Sequence, residues 1–354
     1  CRFGEVMKIV QFIIPDDGKH LGVVQGDTVI DVTSVNASIK STYDAFFESK
    51  KSNISFEDLL ESIVNKTGIN HYNYLDLYQQ KVNDKKPYLT VPFDHSDQRR
   101  VVISGTGLTH TGSMESRDSM HTSENQESDQ HISDSAIMFE MGLRGGKPGT
   151  GKRGVSPEWF YKGNGSSLKG SGDILKVPNF ALDGGEEPEI AVCYINDHKG
   201  VPHRVGFTLG NEWSDHETEK INYLYLAPSK LRECSIGPEL ITDLEFEKIE
   251  LSCDIERKGK KIYERGTIFS GEKYMSHSLN NCEDHHFKYP QHRIPGDLHI
   301  HFLGTSKLSF GERDWKFKDG DVISIRCENF TAPLVNSVSV DNIDVGNPIV
   351  VKKG

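Results

Sequence analysis

No stretch of this sequence stays apolar for the roughly 18–20 residues that a membrane-crossing helix needs; no membrane partner is expected. The opening residues, Cys1-Arg2-Phe3-Gly4-Glu5-Val6, lack the apolar segment of a secretory signal. Met7-Lys8-Ile9-Val10 reads as a natural start, which would leave residues 1–6 upstream of it. Cysteine is scarce: six in 354 residues, none spaced C-x-x-C. Few, scattered thiols in a long chain point to a reducing cytoplasm. Positive charge is in deficit, with 41 Lys and Arg against 52 Asp and Glu, a formal net charge of −11. Such a surface repels phosphate backbones, so nucleic acid is not an expected partner. It is equally unsuited to anionic membranes. Strands and helices do not alternate as in βαβ units and no repeat is visible, which argues against a doubly wound nucleotide fold.

What is present describes a globular protein: 35% hydrophobic and 26% charged residues. The length suits one large domain with a smaller one. Residues 8–34 alternate like short strands, with turn signals at Asp16-Asp17-Gly18 and Gln25-Gly26-Asp27. Ser55-Phe56-Glu57-Asp58 resembles a helix-capping box ahead of the stripe Leu59, Leu60, Ile63. These make an N-terminal α+β unit, residues 1–97, with the boundary in the polar stretch from Asp94 to Arg100. From Val101 the chain is strand-rich. VVISGTGLTH runs from strand into loop, and residues 136–143 look helical. Residues 121–135 are polar without periodicity, a solvated loop or a mobile lid. EIAVCYI and HRVGFTLG read as one hairpin, and FEKIELSCDIERKGKKIYERG as another. A helix is predicted over 272–283, with DLHIHFLGT and DVISIRCENF as later strands.

The sharpest chemical signal is Glu186-Glu187-Pro188-Glu189-Ile190. Glu187 and Glu189 are two apart at the head of a strand, so both carboxylates face one side. Two like charges so close cannot both be semi-buried without a cation. Pro188 donates no ladder hydrogen bond, which suits a strand start or edge. A solvated acidic turn is the plainer alternative. If the hairpin turns near residue 198, the chain returns to the same mouth at Asn211-Glu212-Trp213-Ser214-Asp215. Glu212 then becomes a third carboxylate. Three such oxygen donors suit a hard cation, Mg²⁺ or Mn²⁺.

Two other motifs compete. His299 and His301 share a strand face and could ligate a transition metal, or could simply pack and hydrogen-bond in the core. His285 and His286 would point apart on a strand. Gly146-Lys147-Pro148-Gly149-Thr150-Gly151-Lys152 has phosphate-loop spacing. Arg153 stands where Ser or Thr should be, and a helix rather than a strand precedes it, so nucleotide binding is rejected.

GEEPEIAV, GFTLGNEWSDHE, SKLRECSIGP and PGDLHIHFLGT occur in that order. Together they resemble the fumarylacetoacetate hydrolase superfamily, over roughly residues 98–335. GLTHTGSMESRDSMH, SPEWFYKGNGSSL and FALDGGEEPEI look similar to its sugar-acid-catabolism branch. The resemblance implies a strand-rich α+β chain with a mixed β-roll catalytic domain, residues 98–354, and usually a homodimer. It implies Mg²⁺ held by Glu187 and Glu189 with a third carboxylate, usually Asp and here Glu212. It implies that Lys230 faces the substrate, that Gly304-Thr305 holds a substrate carboxylate, and that Lys162 lies near the pocket.

There are departures from the pattern. Hydrolytic members carry a His-x-x-Glu dyad after the first catalytic strand. Here His110 is followed by Thr111-Gly112-Ser113. The usual Ser-x-Arg-Asp after the third ligand reads Ser214-Asp215-His216-Glu217. Arg117 could supply the arginine, or could pair with Asp118 and only shape its loop. His110, His121 and His301 are the candidate general bases. The expected activity is metal-dependent dehydration of a 2-oxo-3-deoxy-aldonate, a pentonate in the first instance. The alternatives are acylpyruvate-type C–C hydrolysis, decarboxylation or isomerisation on the same fold, or a non-catalytic sugar-acid binding protein.

Overall fold

The computed structural model describes residues 6–80, 85–115, 133–342 and 348–354. The N-terminal hairpins form where the sequence punctuates them. Strands Lys8–Ile14, Gly18–Gln25 and Thr28–Asp31 turn at Asp16 and Gly18 and again at Gly26, all with positive φ. Ser55 caps the Phe56–Val64 helix by accepting from the Asp58 N–H, which fixes its start. That helix and Thr42–Ser52 bury Leu59, Leu60, Ile63, Ala45 and Phe46 against the sheet.

Among the described residues, thirteen strands form one large sheet. Its path runs Asn70–Asn73, Thr28–Asp31, Gly18–Gln25, Lys8–Ile14, Leu240–Ile241, Pro202–Asn211, Pro188–Asn196, Leu298–Phe302, Val101–Gly107, Glu158–Asn164. Lys8 and Ile9 pair with Ile241 and Leu240, so the sheet is continuous across residue 97. Leu298–Phe302 runs parallel to Val101–Gly107, which makes the sheet mixed. A second sheet of five strands runs Lys260–Ser270, Ile249–Arg257, Val322–Cys327, Leu334–Val340, Ile174–Val177.

The two sheets pack face to face. Ile190, Val192, Tyr194, Phe207 and Leu209 of the large sheet meet Leu251, Ile255, Ile323, Ile325 and Leu334 of the small one. The other face of the same hairpin, Ala191, Cys193, Ile195 and Val205, packs with the N-terminal helices. Every residue of Pro188–Asn196 is buried. A strand covered on both faces reads as a continuous apolar run, as EIAVCYI does.

Two local readings are corrected. The helix predicted over 272–283 spans Leu279–Phe287. Gly271 has φ +98°, and the Glu272 and Lys273 amides donate to the Phe246 and Glu247 carbonyls, which holds this stretch out of a helix. The helix starts where the Ser278 hydroxyl accepts from the Asn281 N–H. His285 and His286 therefore sit on a helix, not a strand. The helix predicted at 136–143 is longer, Asp134–Gly145, and runs straight into the glycine-rich 146–152 loop. No described helix is long and apolar enough to cross a membrane.

Candidate metal centre

The hairpin places the carboxylates. Pro188 pairs with Asn211 and Glu189 with Gly210. One step before that pair, the Glu212 N–H donates to the Glu187 carbonyl, so Glu187 and Glu212 are cross-strand neighbours. Pro188 opens its strand, where its missing N–H leaves no gap in the ladder. Oxygens of Glu187, Glu189 and Glu212 lie within 4.8 Å of one another, all three residues buried. Among the described residues this is the group of ligand-type side chains that converges.

Burial works to raise the Glu187 carboxyl, but the Lys230 ammonium and His216 overcome it and hold the group well below the usual range. Burial, then the charge of Glu187, pushes Glu212 up to about 8. Burial, then Glu212 and Glu187, drives Glu189 far above the usual value. Glu189 Oε1 has no hydrogen-bond partner, while Oε2 accepts from the Gly304 N–H at 2.7 Å. Two of three crowded carboxylates thus resist ionisation, and two of their oxygens, Glu189 Oε1 and Glu212 Oε1, accept no hydrogen bond. That is the signature of a site short of positive charge. A divalent cation of the hard, oxygen-preferring kind fits it.

Lys230 supplies the positive charge that is present. Its ammonium donates to Glu187 Oε1, lies 3.3 Å from Glu212 Oε1 and sits 4.8 Å from the Phe160 ring centre. Burial opposes its charge, but Glu187 and Glu212 hold it protonated well above its usual value. The short Leu226–Lys230 helix delivers it. The preceding turn is braced by Asp215, which caps the His216–Ile221 helix and takes Arg232 Nη2 at 2.9 Å.

Gly107, Leu108, Ser113, Phe160, Leu308 and the Gly304-Thr305 loop complete the walls of a cavity of about 40 Å³. That holds a few waters. Gly304 has φ +88°, and a Cβ there would strike Thr109 Oγ1; glycine is required where the backbone turns to meet Glu189.

Other predicted residues lie elsewhere. Lys162 is buried, and its ammonium donates to the carbonyls of Trp213, Lys230 and Arg232. Burial lowers it to about 8. It braces the backbone on either side of Lys230 from behind. His110 is buried beside Thr109, with Nδ1 2.8 Å from Thr109 Oγ1, and burial lowers it to about 4. Its neighbours Leu108 and Ser113 face the cavity, but its own ring is not among the walls. His301 pairs with Val192 on the opposite sheet face from Glu189, and its two ring nitrogens meet Ser104 Oγ and Thr106 Oγ1. His299 meets His286 at 2.9 Å. No carboxylate joins these imidazoles among the described residues, so the histidine pair forms a packed polar cluster. Arg117, Asp118, His121 and most of the 121–135 segment fall outside the described residues.

The sequence reading passed over two further cavity residues, His216 and Glu219. His216 Nε2 lies 3.0 Å from Glu187 Oε1. A Cβ on Gly185 would collide with its ring, so that glycine makes room for it. The signal was available: His216-Glu217-Thr218-Glu219 is itself a His-x-x-Glu spacing, directly after the third carboxylate.

No family model matches the sequence. A solved 2-keto-3-deoxy-D-arabinonate dehydratase, complexed with magnesium and 2,5-dioxopentanoate, superposes with a TM-score of 0.65 at 18% identity, covering 95% of this chain and 99% of that one. The 2-hydroxyhepta-2,4-diene-1,7-dioate isomerase of Mycobacterium marinum gives 0.53 at 16% identity, over 94% and 98%. The fold is that of these solved dehydratase and isomerase structures. The strand-rich α+β fold expected from the resemblance over residues 98–335 is borne out, and the likeness in fold covers 95% of the chain. A probable 2-keto-3-deoxyxylonate dehydratase of Haloferax volcanii is 30% identical over 188 residues, 52% of this chain and 60% of that protein. The match thus spans less than two thirds of that relative's length.

Proposed function

We propose that this protein is a Mg²⁺-dependent dehydratase of a 2-oxo-3-deoxy sugar acid, a pentonate in the first instance, with Mn²⁺ as an alternative ion. One observation carries the reading: three buried carboxylates converge beside a buried lysine, Glu189 Oε1 and Glu212 Oε1 accept no hydrogen bond, and Glu187, Glu212 and Lys230 line one cavity. The likeness to sugar-acid dehydratases in sequence and fold supports the choice of substrate class.

In this proposal Glu187, Glu189 and Glu212 hold the ion. When bound, it would supply Lewis-acid polarisation of a 2-oxo acid's carbonyl. The remaining work falls to the chain. The Lys230 ammonium adds positive charge beside the oxygen on C2, where negative charge grows as C3 loses a proton. The Gly304-Thr305 loop holds the substrate carboxylate, and Arg117 is a second candidate for that role. Lys162 keeps the backbone around Lys230 in place. His110, with its unpartnered Nε2, is a candidate proton carrier.

The chain is further proposed to work as a cytoplasmic homodimer, with residues 1–97 as a supporting or dimer-contact domain. Five buried free cysteines support the compartment. Exposed Phe180, Ile221, Leu224 and Leu231 offer apolar surface for a second copy.

The test is Mg²⁺-dependent turnover of 2-oxo-3-deoxy-pentonates and acylpyruvates, with Glu189→Gln as control. Semialdehyde formation lost in the variant establishes the dehydratase. Pyruvate release from acylpyruvates makes the protein a C–C hydrolase instead. Ligand-induced thermal stabilisation without turnover makes it a binding protein.

A further inference from the structure

The proposed reaction needs a proton carrier on the cavity itself, and His110 is not among its walls. Something must take a proton from C3 and give a proton to the departing C4 hydroxyl. The titratable walls of the cavity, among the described residues, are Glu187, Glu212, His216, Glu219 and Lys230. Glu187 and Glu212 belong to the converging carboxylate group, and Lys230 is held charged between them. The Nε2 of His216 is committed to Glu187. Glu219 is the third carboxylate on this cavity and lies outside the metal group.

Its placement is not that of a surface acid. The His216–Ile221 helix is polar up to its last residue, and Lys220 and Ile221 on it are exposed. His216 and Glu219, three apart and so on one helical face, are both buried, while Glu217 and Thr218 between them are only half-buried. The helix is pinned at its start, where Asp215 caps it, and the Glu219 N–H donates to the Asp215 carbonyl. Asp215 is in turn tied to Arg232 and to the Leu182 N–H. Glu219 also contributes to the field that keeps Lys230 protonated, which places the carboxylate near the ammonium. A fixed, buried carboxylate facing the same small cavity as the lysine is where a proton carrier for C3 belongs.

We propose that Glu219 is the catalytic acid–base of this site, an inference that rests on the dehydratase reading above. The Glu219 carboxylate takes a proton from C3. The C–H electron pair becomes the C2–C3 double bond, and the C2 oxygen takes up the negative charge beside Lys230. That charge then returns to C2 as the carbonyl, the pair moves to form the C3–C4 double bond, and the C4–O bond breaks. The departing hydroxide takes the proton from the Glu219 carboxylic acid and leaves as water, which restores the carboxylate. One side chain thus closes the proton balance of the elimination. The His-x-x-Glu missing at 110–113 has its counterpart at 216–219, on the helix that follows the third carboxylate.

The experiment follows deuterium uptake at C3 of 2-oxobutanoate, a 2-oxo acid with C3 protons and no C4 hydroxyl, by proton NMR in D₂O with Mg²⁺. The wild type is compared with Glu219→Gln and Glu219→Asp. Mg²⁺-induced thermal stabilisation is measured on each as a check of fold and site. The expected result is exchange by the wild type, a loss of at least about 100-fold in Glu219→Gln, partial recovery in Glu219→Asp, and an unchanged Mg²⁺ shift in both. Exchange by Glu219→Gln within about threefold of the wild type, against that 100-fold expectation, overturns the assignment while leaving the dehydratase reading standing. A Glu219→Gln chain that has lost its Mg²⁺ shift as well as exchange, with Glu219→Asp no better, makes Glu219 a structural or metal-holding residue and also overturns it. Absence of Mg²⁺-dependent exchange in the wild type removes the dehydratase reading and this inference together.

Discussion

Glu189→Gln tests the metal site without reference to any substrate. The variant keeps shape and the amide contact to Gly304, and removes one charge. In the metal-free chain that charge is a burden. Oxygens within 4.8 Å repel by about 3.5 kcal/mol per pair at an effective dielectric near 20. The fold can escape by keeping Glu189 protonated, which from an ordinary carboxyl costs at most about 3.7 kcal/mol at neutral pH. The two bounds agree. Gln recovers most of that, less about 1 kcal/mol for weakening the hydrogen bond from Gly304. Metal-free Glu189→Gln should therefore be more stable than the wild type by about 1–3 kcal/mol, a rise of a few degrees in melting temperature. With Mg²⁺ the order reverses. The wild type gains about 2.7 kcal/mol at a hundred times its dissociation constant, and the variant gains little. The assay is calorimetry or dye-monitored melting in chelator and in a Mg²⁺ series. A variant less stable without metal that keeps the full Mg²⁺ gain would refute the reasoning, and the three glutamates would be a structural network.

Lys230→Met should destabilise the metal-free chain by about 3–5 kcal/mol, because Glu187 and Glu212 lose their buried counter-charge. The same variant should bind Mg²⁺ more tightly, read by titration calorimetry, while turnover falls at least about 100-fold; weaker binding would show that Lys230 supports the ion rather than competing with it. Gly304→Ala forces a side chain onto φ +88° and into Thr109, a cost of about 1–3 kcal/mol, and it should also blunt the Mg²⁺ shift by moving the amide that orients Glu189. Burial holds His286, His299 and His301 neutral, the last two near about 3. The folded chain then binds fewer protons than the unfolded one below about pH 6.5, so stability is whole above that pH and drains as pH falls towards about 3. From about pH 7.5 to about 5.5 each imidazole removes about 1.4 kcal/mol, about 4 for the three. Denaturant melts at the two values measure the pH dependence, and His301→Gln should lessen the loss on acidification by about 1.4 kcal/mol; an unchanged dependence in that variant would rule out neutral burial of His301.

Much of this site was legible because local rules governed it. Strand alternation put Glu187 and Glu189 on one face, and the hairpin turn near Asp197 set the register that brings Glu212 opposite Glu187. Both follow from period two and a short loop. The capped helix at Ser55 and the turns at Gly18 and Gly26 were equally local. The misreading at 272–283 came from a stretch whose amides are claimed by Phe246 and Glu247, distant partners that no helical pattern reveals.

The sequence by itself determined the carboxylate set, the strands that carry it and the acidic, cysteine-poor character of the chain, since these depend on residue type and spacing alone. The tertiary structure decided everything that depends on which face or loop meets which. It set Lys230 between Glu187 and Glu212, turned Lys162 onto backbone carbonyls, sent His301 to the far side of the sheet and brought Glu219 to the cavity. Those positions are fixed by contacts across tens to hundreds of residues. A side chain's neighbours at that range are set by how the sheet and the 212–232 turn pack, and not by the residues beside it in the chain.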